Sequence, residues 1–514
     1  MRSKLFFLGV FVFLQFCKED EKPKEDISRM TITGLELATT PTPGGRLQAS
    51  TTWTHSYPSE IAMVFREIQS GKTHELRINP NEFTTPYSTE LPYGSYTYEG
   101  KSAESNTGSA FLPITLKGEF QISTPTSSLI AKAFASHGLL TFSKRNLANP
   151  PNLTGSTGST FFEKSGFYYS YVPGSGISKV EMTFTSGKKI RIPVSPLPFT
   201  HNQFQFRLAG DSDPDTFLPK DFSINQRNFT LSAQGYPTEL ISYAQVELPS
   251  SQRETSGLAW IQGKLFSIND GGNPAEIYEL NPQTGAVNRT IRVEGTSNED
   301  WEDLATSSTH LFIGDFGNNA GNRTNLRILK ISIQALLSQN SVHADLIEFS
   351  YPDQVQFNPG VNAHNFDCEA MAFANGQLHL FSKNWQDNRT KHYTLPESPG
   401  KYVANLVGNV DTQGLITAAD ISADGKNLVL LGYENSGILS RSFIWTFPSF
   451  GGANIGSTEG FRFFLGSPAN LGQTEGIVFM NSPETKISGE GISLGGVNVP
   501  PKLFELDLHG IFIP

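Results

Sequence analysis

The sequence is short of several things, and each shortage excludes something. Its 514 residues contain two cysteines, Cys17 and Cys368, so no disulfide framework can hold the fold. Lys and Arg number 39 against 49 Asp and Glu, a net charge of −10, and they form no long basic run. A nucleic-acid partner, which needs clustered cations to neutralise phosphates, is therefore not expected. No apolar stretch reaches the roughly 18–20 residues that a membrane-spanning helix needs. No H-E-x-x-H zinc pair or Walker A loop occurs, and no nucleophile elbow of the G-x-S-x-G kind is expected.

What is present is turn-rich and aromatic. Gly 47, Pro 31, Phe 38 and Tyr 15 point to many short strands separated by turns, an all-β chain long enough for two or three domains. At the N-terminus Arg2 and Lys4 precede an apolar run from Leu5 to Phe16, and Cys17 follows at once. A run this short fits the core of a secretory signal. The pattern resembles a bacterial lipoprotein signal with Cys17 as the lipidated residue, in a loose lipobox where Leu14-Gln15-Phe16 replace the usual small residues. An ordinary cleaved signal with an incidental cysteine is the alternative. The expectation is export and anchoring at the bacterial outer membrane, periplasmic or surface-facing, by lipid and not by a spanning helix. Residues 18–27 then read as a charged tether.

Two β-rich modules follow, at 28–117 and 118–235, both read as small β-sandwiches of the immunoglobulin-like kind. Leu91-Pro-Tyr-Gly-Ser-Tyr-Thr-Tyr-Glu looks like a strand entry common in such sandwiches, with Tyr96 and Tyr98 on one face. Phe167-Tyr168-Tyr169 reads as alternating strand positions or as a carbohydrate platform. Asp211, Asp213 and Asp215 are spaced like a calcium loop but lack its glycine and distal glutamate.

Beyond Tyr243 the chain repeats itself. Five segments share a plan of two adjacent strands and a turn: Glu254-TSGLAWIQGKLFSIND, Asp300-WEDLATSSTHLFIGD, Asp367-CEAMAFANGQLHLFSK, Thr417-AADISADGKNLVLLGY and Gln473-TEGIVFMNSPETKISGEG. Third strands are expected after each, and fourth strands at 287–293, 345–351, 402–407 and 461–465. The fifth repeat lacks a fourth strand, and Tyr243-Ala-Gln-Val-Glu-Leu is available to supply it. That closure predicts a five-bladed β-propeller over 240–514, with six blades as the alternative.

In a propeller blade the start of the innermost strand and the end of the next lie at one end of the channel. The entries carry Glu254, Asp300, Glu302, Asp367, Glu369 and Glu475; the exits carry Asp270, Asp315, Lys383, Tyr433 with Glu434, and Glu490. All are expected around one mouth. Crowded carboxylates repel one another unless compensated, and Ca²⁺ takes oxygen ligands such as Asp300, Glu302, Asp315 and Glu369. Lys383, Arg323 and Arg327 could neutralise them instead, or the acids could cap backbone N–H groups. The fourth repeat places Ala419 where Glu302 and Glu369 stand. Cys368, four residues after His364, reads as buried filler or as half of a Cys–His pair.

The segments ETSGLA, NDGG, DWEDLA, GDFGNN with Arg323, FDCEAM and QTEGI resemble a group of secreted bacterial propeller proteins, similar to the phytase-like, esterase-like and SdiA-regulated propeller families. The resemblance covers about residues 240–514. For phytase-like members it implies Ca²⁺ and phosphate-ester hydrolysis at the mouth. Two functions stay open: a monomeric, lipid-anchored protein binding a small molecule, glycan or protein through its propeller, with calcium; or a calcium-assisted hydrolase of phosphate esters or glycosides with Glu302 or Glu369 as general base.

Overall fold

The computed structural model describes residues 26–38, 51–155, 160–211, 217–219, 221–481, 483–494 and 496–512. Cys17, the signal segment and nearly all of the tether lie outside the described residues, as do Asp213 and Asp215. No helix among the described residues is long and apolar enough to cross a membrane. The described chain is all-β and forms two compact units.

The first unit is not the two-sheet sandwich expected. Seven strands form one continuous sheet, in the order 73–78, 61–67, 94–101, 114–122, 126–135, 27–37 and 87–92. Its two edge strands, Thr73–Ile78 and Tyr87–Pro92, approach each other, so the sheet is nearly a closed barrel. Alternating inward residues look the same in a sandwich and a barrel, which is why the pattern misleads. The boundary expected at 117/118 falls inside the strand Ile114–Ile122. That strand and Thr126–Ala135 stay with this sheet because the latter pairs in parallel with Ile27–Leu37, a contact distant in sequence. Tyr96 and Tyr98 are buried on one face, as their spacing requires.

The second unit begins with two sheets, 152–153/178–183/189–194 and 162–164/167–173/137–143/200–207/223–230. Phe142, Phe204 and Phe206 of one sheet and Val180, Met182 and Ile192 of the other share a core. Phe167 and Tyr168 are buried and Tyr169 is half-buried against Trp53 and Tyr171, so this run is packing and not a carbohydrate platform. The same core continues without a break into Ile444, Phe461, Phe463 and Phe504 of the repeat region.

The repeats fold as five antiparallel meanders, giving a propeller-like architecture. Sheet I comprises Thr255–Ile261, Lys264–Asn269, Glu276–Leu280 and Val287–Glu294; sheet II, Trp301–Thr306, His310–Asp315, Arg327–Ser332 and Asp345–Ser350. Sheet III comprises Asp367–Ala374, Gln377–Lys383, Thr390–Pro396 and Asn405–Val410; sheet IV, Leu415–Ile421, Leu428–Tyr433, Ser442–Phe447 and Phe461–Gly466. Sheet V takes Gln473–Asn481, Glu484–Glu490 and Lys502–Asp507 from the chain's end and Tyr243–Glu247 from before sheet I. The first strand of each sheet touches the first strand of the next, and that of V touches that of I.

Each pair of neighbouring sheets buries an apolar layer. Phe266 and Ile268 of sheet I meet Leu304 and Ile313 of II, and Phe312 and Ile328 of II meet Met371 and Leu380 of III. Sheets III and IV join through Ala372, Phe381 and Leu430, IV and V through Leu431 and Ile487, and V and I through Val478 and Leu258. Inner strands are thus covered on both faces, which is why Leu428–Leu431 reads as a continuous apolar run and not as an alternating one. Sheets I and II each gain a fifth strand, Ser341–His343 and Gly400–Val403, added in parallel to the outer edge. This corrects the fourth strand expected at 402–407: Tyr402 belongs to the edge of sheet II, and 405–410 completes sheet III.

Candidate functional site

Every innermost strand carries a pairing irregularity near its start, at matching positions. In sheets III, IV and V the ladder skips one residue, Glu369, Thr417 and Glu475; in sheets I and II it skips the pairs Ser256-Gly257 and Glu302-Asp303. A β-bulge re-aims a side chain that regular pairing would turn into a blade interface. The matching positions are therefore Ser256, Glu302, Glu369, Thr417 and Glu475, which corrects the sequence alignment. Thr417, not Ala419, occupies the fourth position, and its hydroxyl donates to the Thr474 carbonyl at 2.7 Å. Ala419 instead offers its backbone N–H to Asp303 at 3.0 Å.

Four of the bulge residues, Ser256, Glu302, Glu369 and Glu475, line a cavity of about 210 Å³ together with Asp270, Lys383, Tyr433 and Glu490 from the second-strand exits. Asn319, Trp385 and Gln473 complete the wall. The cavity brings together seven of the sequence-derived positions: Asp270, Glu302, Glu369, Lys383, Tyr433, Glu475 and Glu490. Asp300 lies at its edge, where one carboxylate oxygen each from Asp270, Asp300 and Glu302 fall within 4.8 Å of one another.

The other expected residues do different work. Asp315 is fully buried between Arg323 at 3.0 Å and Arg327 at 2.8 Å, so it is an ion-pair centre and not part of the carboxylate triad. Arg323 also donates to the Gly317 carbonyl at 2.8 Å, fixing the loop beneath the triad. Asp367 is buried and accepts from the Asn318 backbone at 2.6 Å and the Trp385 indole at 2.8 Å. Glu254 is exposed and accepts from the Asn273 amide at 2.7 Å. Glu369, expected among the metal ligands, instead pairs with Lys383 at 3.1 Å.

Electrostatically the cavity is strained. Burial, with Asp270 and Asp367 nearby, pushes the Asp300 carboxyl up to about 7. Burial likewise holds Glu475 up at about 7, and lifts Glu302, Glu369 and Glu490 well above the usual carboxylate range. Asp270 is raised by the same cause. Burial opposes the Lys383 charge, but Glu369, Tyr433, Glu475 and Asp367 together keep it protonated. Glu302 is the extreme case. It is 4% exposed, and among the described residues its carboxylate has neither an ion pair nor a hydrogen-bond donor.

Two glycines missed by the sequence reading explain how the triad fits. A Cβ on Gly317 would sit 2.1 Å from Glu302 Oε1 and 2.5 Å from Asp300 Oδ2, and one on Gly271 would sit 2.3 Å from Asp300 Oδ1. The GDFGNN and NDGG loops thus lack side chains where the carboxylates need room. Asp303 was also missed. It is fully buried and accepts backbone N–H groups from Leu304, Met371 and Ala419 at 2.8, 2.8 and 3.0 Å, tying sheets II, III and IV together.

Two nucleophile readings fail. Cys368 is buried, its thiol pushed up by that burial and facing the Ala370 and Phe381 carbonyls, while His364 bonds the Asn319 carbonyl at 3.1 Å. The spelling G-x-S-x-G does occur, at Gly491-Ile492-Ser493-Leu494-Gly495, contrary to expectation. It lies on a hairpin of Ile492–Leu494 and Val497–Val499, not on a strand-to-helix elbow, and Ser493 bonds Arg253 at 2.7 Å and Asn498 at 2.8 Å.

No described protein family matches the sequence, and no curated protein matches it. Among solved structures the chain is similar to a 6-phosphogluconolactonase candidate from Bacteroides uniformis ATCC 8492, at 11% identity and TM-score 0.25 over 88% of this chain and 96% of that one. It is similar to hydrazine synthase from Kuenenia stuttgartiensis at 8% identity and TM-score 0.25, over 69% and 77%. It is also similar to a fimbrial protein from Bacteroides ovatus ATCC 8483 at 9% identity and TM-score 0.22, covering 44% of this chain and 58% of that protein's length. Likenesses this distant carry no functional argument, and the site has to be read from its own geometry.

Proposed function

We propose that the five sheets are the five blades of a propeller whose mouth is a calcium-dependent ligand-binding site, carried on an exported monomer anchored through Cys17. The observation that carries the reading is Glu302, a carboxylate 4% exposed with no donor or cation of its own among the described residues, set against Asp270 and Asp300. An unpaired buried charge is costly. A hard cation with oxygen ligands removes that cost, and neighbouring carbonyls and water can complete the six to eight positions Ca²⁺ prefers. The test is calorimetric titration of EDTA-treated protein with CaCl₂, with MgCl₂ as control and a thermal melt alongside. A Tm rise with calcium that Glu302→Gln abolishes supports the site. No heat and no shift would sink it.

A second reading rests on Glu475, held up to about 7 by burial beside Lys383. A carboxyl poised there suits general acid–base catalysis, so hydrolysis of glycosides or phosphate esters at the same mouth is the alternative, with Glu369 as the other carboxyl. Turnover of a chromogenic panel, lost on Glu475→Gln, would favour it. The N-terminal β modules would hold the propeller away from the membrane. Metabolic labelling with a radioactive fatty acid, lost on Cys17→Ser, tests the anchor.

A further inference from the structure

The mouth does not end at the carboxylates. Trp385, Tyr433 and Gln473 line the acidic cavity and also a second, larger one of about 580 Å³ beside it. The floor of this groove is apolar: Pro468 and Ala469 lie on one side, and Ile492 and Val499 of the hairpin on the other. The two shared rings are held in place. The Trp385 indole donates to Asp367 at 2.8 Å, and the Lys383 ammonium sits 5.1 Å from the Trp385 ring centre and 5.5 Å from that of Tyr433. The hairpin is fixed at its base by Arg253, which accepts from the Gly491 backbone and donates to Ser493. A polar chamber and an apolar groove joined by two partly exposed aromatic rings suit one ligand with two ends.

Charge decides the polar end. Asp270, Asp300, Glu302, Glu369, Glu475 and Glu490 contribute six carboxyl groups, and Lys383, paired to Glu369 at 3.1 Å, is the one ammonium in the cavity wall. A phosphate or carboxylate head would be repelled from such a chamber. A neutral polyhydroxyl head is not: its oxygens can ligate the cation while its O–H groups donate to the remaining carboxylates. The flat C–H face of such a ring is the part that packs on an indole.

We propose that mouth and groove form one site for a neutral saccharide, its vicinal hydroxyls on the cation, its ring against Trp385, and an apolar aglycone or further ring in the groove between Tyr433 and Ile492. This rests on the calcium reading above and adds the ligand class to it. The probes are methyl, butyl and phenyl glycosides of glucose, galactose and mannose, with glucose 6-phosphate and butylamine as charged controls. They are titrated calorimetrically into the full chain in CaCl₂ and in EDTA. At least one neutral series is expected to bind in calcium, with phenyl or butyl about tenfold tighter than methyl, and glucose 6-phosphate at least tenfold weaker than the matching glucoside. Ile492→Ser and Val499→Ser should each bring the phenyl-to-methyl ratio toward one. If calcium shifts the melt but no glycoside binds, or the phosphate or the amine binds best, the saccharide proposal is overturned and the cation site stands. If glycosides bind equally well in EDTA, the cation reading falls and with it the assignment of the hydroxyls.

Discussion

Replacing Asp300 with asparagine should stabilise the protein without calcium and lose that advantage with it. The substitution keeps the shape of the side chain and removes its charge. In the metal-free protein the Asp300 carboxyl titrates at about 7 instead of 3.8, because it is buried beside Asp270 and Asp367. A folded value above the unfolded one means that the penalty is absent in acid, grows as the pH climbs, and is complete above 7. At pH 8 the shift from 3.8 to about 7 corresponds to roughly 4 kcal/mol at 1.36 kcal/mol per unit. Asp300 is partly open to solvent, which screens the interaction and cuts the figure to about 2 kcal/mol. In EDTA the Asp300→Asn protein should therefore be the more stable by about 2 kcal/mol.

Calcium removes that advantage. At a thousandfold excess over its dissociation constant a ligand stabilises the folded state by about 4.1 kcal/mol. Losing one of three carboxylate ligands weakens binding by on the order of 100-fold, which removes about 2.7 kcal/mol of that gain. The two figures are of the same size, so in calcium the advantage of Asp300→Asn is cancelled. Urea denaturation at pH 8, in EDTA and in CaCl₂, followed by tryptophan fluorescence, measures both differences. If Asp300→Asn is destabilising in EDTA, or if both proteins respond equally to calcium, the triad is not a cation site and the repulsion argument is wrong.

Further expectations follow from neighbouring residues. Lys383→Met strands buried Glu369 without its 3.1 Å partner, so it should cost about 3–5 kcal/mol in urea denaturation, and adding Glu369→Gln should recover most of the loss. Gly317→Ala forces a methyl group against Glu302 and Asp300, and should weaken calcium binding at least tenfold by calorimetry while the far-UV circular dichroism is unchanged. His379 and His392 are buried and bonded to each other at 2.8 Å, and burial pulls them from 6.5 down to about 4 and about 3. Their folded values lie below the unfolded one, so their contribution is complete above 6.5 and is lost as the pH falls. Between pH 7 and pH 5 each should cost about 2 kcal/mol. The double variant His379→Leu/His392→Leu should lose correspondingly less stability over that interval, and an equal loss would refute the assignment.

How much of this was legible in the sequence depended on whether the signal was local. The five repeats and the closing strand Tyr243–Glu247 were readable because each inner strand is a short apolar run bounded by turns, and because repetition multiplies a weak pattern. The convergence of Asp270 and Glu302 followed from strand direction alone. The triad itself did not. Asp300 and Asp315 look equivalent in DWEDLATSSTHLFIGD, both acids at strand ends, yet Arg323 and Arg327 fold back to pair with Asp315, and among the described residues no cation pairs with Asp300. That outcome turns on where two long side chains from a loop and a third strand come to rest, a tertiary fact with no period to betray it. The fourth repeat was misread because its turn, 422–427, is longer than the 375–376 turn of the third, so matching the two hairpins residue for residue put Ala419 where Thr417 stands. The first unit's near-barrel escaped because its defining contact, Ile27–Leu37 against Thr126–Ala135, joins segments about a hundred residues apart. The glycines were in plain view. Gly271 and Gly317 read as turn residues, and turns alone would account for them, but neither carries a positive φ. What each needs is the absence of a Cβ, and the atoms that forbid one are the Asp300 and Glu302 carboxylate oxygens. Gly271 beside Asp270 and Gly317 two residues after Asp315, each with an ordinary backbone, are the sequence mark of a carboxylate cluster that must be given room, and they point to the same residues that the cation would bind.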